Sequence, residues 1–169
     1  MQSLPRNILA IAILCICSST TLAAGPPQSS EKDRERVVEY ATRIEQSPLS
    51  KRSRSDRKKV LTIIQRSPDL QVDSCQAVLG ELLLSHKLGA TELYVHHRIA
   101  SARFLAEHPD MQGDRFRVVL EGVIGVLRAY RYLQQSNGLV QIEALDDLIE
   151  RQKNGELDDY VARALAECP

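Results

Sequence analysis

The sequence predicts an all-α fold, a compact bundle of about six to seven helices. Three observations predict it. Apolar residues recur every three or four positions, and no stretch alternates apolar and polar residues as a half-buried strand would. Helix-stopping residues (Pro48, Ser67-Pro68-Asp69, Gly89, His108-Pro109, Asn137-Gly138 and Asn154-Gly155) fall at helix-length intervals. Hydrophobic residues at 43% and charged residues at 26% exclude wholesale disorder and a fibrous repeat.

The elements follow in order. Residues 25–30, Gly-Pro-Pro-Gln-Ser-Ser, form a flexible lead, and residues 31–169 form a single helical domain. Ser30 caps a first helix over 31–46, with Val37, Val38, Ala41 and Ile44 facing the core. A second helix spans 51–65 and is apolar only in its second half, at Val60, Leu61, Ile63 and Ile64. Leu70-Gln71-Val72 reads as a short extended connector. Asp73 and Gln76 read as a capping box for a third helix over 74–86, with Val78, Leu79, Leu82 and Leu83 inward.

A fourth helix is expected over 91–107 and a fifth, the central one, over 113–135. Along the fifth, Leu120, Val123, Leu127, Tyr130 and Gln134 lie within about 40° of Phe116 on a helical wheel. Gly122, Gly125 and Ala129 lie opposite, where missing side chains let a second helix approach. A glycine in a helix interior costs about 1 kcal/mol, so the pair points to tight packing there. Helices over 141–153 and 156–167 complete the bundle.

Residues 1–24 carry Arg6, the apolar run from Ile8 to Cys17 and small residues ending Ala23-Ala24. That order reads as a cleaved secretory signal peptide. The apolar run is half the roughly 20 residues a spanning helix needs. Neither Cys15 nor Cys17 follows a small residue, so no lipoprotein site is formed. The mature protein is expected to be periplasmic or secreted, and not transmembrane once the signal is cleaved. Of the remaining cysteines, Cys75 and Cys168 are expected to pair in an oxidising compartment. Closing that loop is worth about 4–5 kcal/mol in the chain-entropy model, an upper figure.

The candidate sites divide by chemistry. His96 and His97 are adjacent, so they point about 100° apart and cannot share a metal from one helix. On the wheel His97 falls near Leu93, Ala100 and Phe104 and reads as half-buried, while His96 falls among Glu92, Arg103 and Glu107 and reads as surface. Glu121 sits in an apolar run yet lies one turn after Arg117, which favours an ordinary ion pair. Asp146-Asp147 and Asp158-Asp159 match no calcium loop. No nucleophile elbow, phosphate loop, dinucleotide fingerprint or zinc-protease signature is present. The sequence therefore assigns no catalytic residue, no cofactor and no metal, and leans away from an enzyme. The remaining enzyme reading is a site built from His97, Glu121 and a third group.

Charge layout is the unusual feature. Residues 51–59 hold Lys51, Arg52, Arg54, Arg57, Lys58 and Lys59 against Asp56, a local +5, while residues 139–169 carry a local −5. The six cations are the candidate contact for an anionic lipid, a polyanion or an acidic partner. The blander alternative is that they form a solvated face paired with the acidic C-terminal helices of the same molecule. Over the whole chain 22 basic residues balance 22 acidic ones, and removal of Arg6 with the signal leaves the mature chain near −1. That balance, and a basic run with no aromatic to stack a base, argue against nucleic acid.

Several segments together resemble a group of small exported bacterial proteins, all-helical and of no known activity. They are Pro68-Asp69-Leu70 leading to Cys75, Glu107-His108-Pro109, and Gly122 followed by Leu127-Arg128-Ala129-Tyr130. Leu145-Asp146-Asp147-Leu148 and Gly155-Glu156-Leu157 with Tyr160-Val161 complete the set. The resemblance covers most of residues 68–161 and implies a helical exported protein without implying site residues. A looser likeness, in architecture and compartment only, is to the periplasmic immunity proteins that neutralise cell-wall amidases. The function expected is that of an exported non-enzymatic module that binds another protein in the bacterial envelope.

Overall fold

The structure, a computed structural model, describes residues 28–72 and 75–168. The signal reading of residues 1–24, the first part of the lead and the Asp73 cap lie outside the described residues. The chain forms α1 (Glu31–Gln46), α2 (Lys51–Arg66), α3 (Gln76–Leu79), α4 (Glu81–Leu84), α5 (Ala90–Glu107), α6 (Arg115–Ser136), α7 (Glu143–Asn154) and α8 (Leu157–Ala166). Two 3-10 turns, Pro68–Leu70 and Pro109–Met111, follow α2 and α5. No strand occurs among the described residues, so the fold is all-α.

Capping explains the boundaries. The Ser30 hydroxyl accepts from the Asp33 N–H at 3.1 Å, and Ser50 from Ser53 at 3.0 Å. Asp114 caps α6 by accepting from Arg117 at 2.9 Å. Gly155 ends α7 in the left-handed region at φ 75°, where the following Glu156 N–H reaches the Arg151 carbonyl at 2.8 Å. The end of the lead is anchored: the Ser29 N–H and hydroxyl both donate to the Asp69 carboxylate, at 2.8 and 2.6 Å.

One helix departs from expectation. The segment read as a single helix over 74–86 is two single turns, broken at Gly80. The chain tightens there until the Gly80 N–H meets the Gln76 carbonyl at 2.6 Å, and a Cβ at Gly80 would lie 2.4 Å from that oxygen. After the break the register shifts, so Leu82 is buried while Leu83 points to solvent. Leu70, expected in an extended connector, is instead buried at the end of a 3-10 turn.

α5 and α6 form the central pair, with α1 packed across them and α2 beyond it. Two apolar cores result. One gathers Val37, Ile44, Val60, Ile64, Leu70 and Ile99 from α1, α2, the first turn and α5. The other gathers Leu79, Leu93, Leu127, Tyr130, Leu145 and Val161 from α3 and α5–α8. The expected disulfide is present: Cys75 and Cys168 are bonded, with their Cα atoms 5.7 Å apart. It ties the segment before α3 to the end of α8.

Candidate functional site

Between the two cores lies a polar seam. His96 and His97 on α5 are both buried, at 1% and 7% exposure, which corrects the surface assignment of His96. The wheel failed because α5 is covered on both sides, by α1 and by α6, and its buried residues run around the whole helix. Both His96 nitrogens, His97 Nε2 and the Ser101 hydroxyl lack a hydrogen-bond partner. α6 meets them with glycine: a Cβ at Gly122 would stand 2.1 Å from Ser101 Oγ and 2.9 Å from His97 Nε2. Burial, and then the nearby Arg128 and Arg57 charges, push the His96 pKa down to about 3. Burial pushes His97 down to about 4, against the opposing pull of the Val119 carbonyl. Both imidazoles are therefore neutral at pH 7.

Glu121 and His97, the two named members of the enzyme reading, line separate clefts. Glu121 pairs with Arg117 at 2.9 Å, as its spacing predicts, and lines a cleft of about 200 Å³ with Arg103 and Arg128. His97 lines a different cavity, of about 230 Å³, with Leu61, Tyr94 and Arg98. The two are thus not brought to one site. No group of three or more His, Cys, Asp or Glu side chains able to hold a metal occurs among the described residues.

The basic run sits on the first half of α2 and does not act as one set. Arg57 is buried at 9% exposure, and its guanidinium donates to the Pro48 carbonyl at 2.6 Å. It holds the α1–α2 turn and is removed from the contact face. Lys59 reaches Asp56 at 3.4 Å and stands 5.2 Å from the Tyr40 ring. Lys51, Arg52, Arg54 and Lys58 remain exposed and join no ion pair among the described residues. The expected pairing with the acidic C-terminal helices is not found: α2 packs on α1, α5 and the first turn. The α2 first turn also holds no acid, so its cations face the positive end of the helix dipole without compensation.

A second surface went unread in the sequence. Leu84 and Leu139 are 80% and 92% exposed, and Leu83 and Leu88 are exposed beside them in the chain. Leu88 and Leu139 line one cleft of about 230 Å³ with Lys87 and Val140, so residues 87–88 meet the 137–141 loop. Leu49, just before the α2 cap, packs near this end: a Cβ at Gly89 would lie 3.4 Å from it. Leu83, expected inward with Val78, Leu79 and Leu82, is turned outward after the break at Gly80.

No family model, curated protein or solved structure matches the chain. Of the described residues, no helix is long and apolar enough to cross a membrane.

Proposed function

We propose that this chain is an exported, non-enzymatic helical module of the bacterial envelope that works by binding another protein. The observation that carries the reading is the leucine-bearing end where Lys87 and Leu88 meet the 137–141 loop. Large aliphatic side chains held in water gain about 1.5–3 kcal/mol each when a partner covers them. Lys87, Asn137 and Gln141 line the same cleft and give its rim polar groups. An apolar centre with a polar rim is the anatomy of a protein–protein contact. The disulfide supports an oxidising compartment, periplasmic or extracellular. A second reading, binding to anionic lipid or polyanion, has the exposed Lys51, Arg52, Arg54 and Lys58 in its favour.

The test compares immobilised wild type with a Leu84→Ser/Leu88→Ser/Leu139→Ser variant in capture from envelope extract. The expected result is one protein held in near-equimolar amount by wild type and at least tenfold more weakly by the variant. Equal retention by both would overturn the proposal. The same columns challenged with anionic vesicles address the second reading, which requires retention that neutralising the four cations abolishes.

A further inference from the structure

The charge asymmetry of this chain is not resolved inside the molecule. Lys51, Arg54 and Lys58 fall three and seven residues apart, on one exposed face of α2, with Arg52 beside them. Cations in a first turn oppose the helix dipole, and the first turn of α2 holds no acid to offset them.

The complementary surface is a groove of about 580 Å³ between α4 and α7. Glu81 and Glu143 line its opposite walls, and neither joins an ion pair among the described residues. Asp147 lines it too, held at 2.7 Å by Arg151. Tyr160 closes the groove from α8 by donating to the Val78 carbonyl at 3.0 Å. Its hydroxyl pKa is raised by burial and then by the Glu81 charge, against the opposing charge of Arg151, which also lines the groove. Asp158 and Asp159 stand exposed at the start of α8. α2 packs chiefly on α1, α5 and the first turn, and none of its exposed cations pairs with Glu81 or Glu143 among the described residues.

We infer that the exposed cationic face of α2 docks in the acidic groove between α4 and α7 of a second copy of this chain. The partner is a second copy because one chain carries both complementary surfaces. The joined patches differ, so the contact is heterologous and copies add head to tail. Opposite charges at a wet interface also make it strongly dependent on salt.

The test is sedimentation of the purified protein at low ionic strength and at about 1 M salt, where the Debye length falls to about 3 Å. Weight-average mass is expected to at least double at low salt and return to the monomer at high salt. A Lys51→Glu/Arg54→Glu/Lys58→Glu variant and a Glu81→Lys/Glu143→Lys variant should each stay monomeric alone. Mixed in equal amounts they should associate again, since each then offers what the other lacks. A wild type that is monomeric at every salt concentration overturns the proposal, and this outcome needs no variant to fold. So do charge variants that associate like wild type, or a mixture that stays apart. Association lost instead in the leucine variant would place the contact at the other surface and also overturn it.

Discussion

The core built by α1, α2 and the first 3-10 turn is closed by charged side chains, whereas the core around α6, α7 and α8 is closed by a disulfide and a buried tyrosine. In the first, Asp56 is almost fully buried and accepts from Arg43 at 3.0 Å and Lys59 at 3.4 Å. Burial acts to raise its pKa, but the two cations outweigh that and hold the carboxyl below its usual range. Arg66 reaches Asp33 at 2.6 Å, and buried Glu45 joins Arg128 and Arg103 across the helices. In the second, the Tyr130 hydroxyl donates to Asp146 at 2.9 Å and accepts from the Ile142 N–H at 2.8 Å, fastening the start of α7. Burial pushes that phenol up to about 12. The difference follows from the chain: the first core is built largely from neighbouring segments, while the second must bring residue 75 to residue 168. A covalent link across a long loop gives most where closure entropy is greatest.

The largest test of that contrast is removal of the staple. Cys75→Ala/Cys168→Ala is expected to cost about 2–5 kcal/mol. In hydrogen exchange the loss should fall on α3 and α8, with the amides of α1 and α2 little changed. Uniform loss of protection in all helices would mean that the two cores unfold as one unit and that the contrast has no energetic content.

Acid comes next, because it acts on the seam between the cores. The unfolded chain protonates His96 and His97 near 6.5, while the folded chain holds them near 3 and 4. A depressed basic group leaves the native state with fewer protons, so stability is full above pH 6.5 and falls as pH drops below it. Each histidine loses up to about 1.4 kcal/mol per pH unit, which is of order 4 kcal/mol for the pair by pH 5. The groups facing them are Arg128, Arg57 and Arg103, with Glu45 bound to two of these arginines. Asp56 acts elsewhere: its contribution begins to fall only toward the unfolded carboxyl value of 3.8. Urea midpoints at pH 7.5 and 5 check this, and His96→Leu should remove about half of the slope. Stability unchanged at pH 5 would show imidazoles that are charged and paired in the native state.

Much of this architecture was legible in the residues. The first helix was readable to its ends because Ser30 offers a cap and Pro48 a stop, and the Cys75–Cys168 bridge because these are the two cysteines outside the segment read as a signal. Gly80 was not legible as a breaker, since the leucines around it carry the helical period straight through. His96 was misplaced for a different reason: a wheel separates faces only when one face meets water, and α5 has none to spare. The cationic run was visible as a run, but Arg57 left it because the turn carbonyl of Pro48 needed a donor. The leucine end and the acidic groove depend on segments meeting from distant parts of the chain, which local pattern does not encode.

The smallest effect asks whether the seam is a fault or a link. Ser101 is fully buried, and its hydroxyl finds no partner. Leaving a buried hydroxyl unpaired costs about 1–3 kcal/mol, and alanine is also the better helix former by up to about 0.7 kcal/mol. Removing one oxygen opens little space, because the seam is tight enough that a Cβ at Gly122 would overlap it. Ser101→Ala should therefore stabilise the protein by about 1 kcal/mol, a rise in Tm of about 2–4 °C by thermal melt. A destabilised variant would mean that the hydroxyl has a partner in solution, a buried water or a histidine nitrogen. The seam would then join the two cores through hydrogen bonds, and the contrast between them would need a third, shared element.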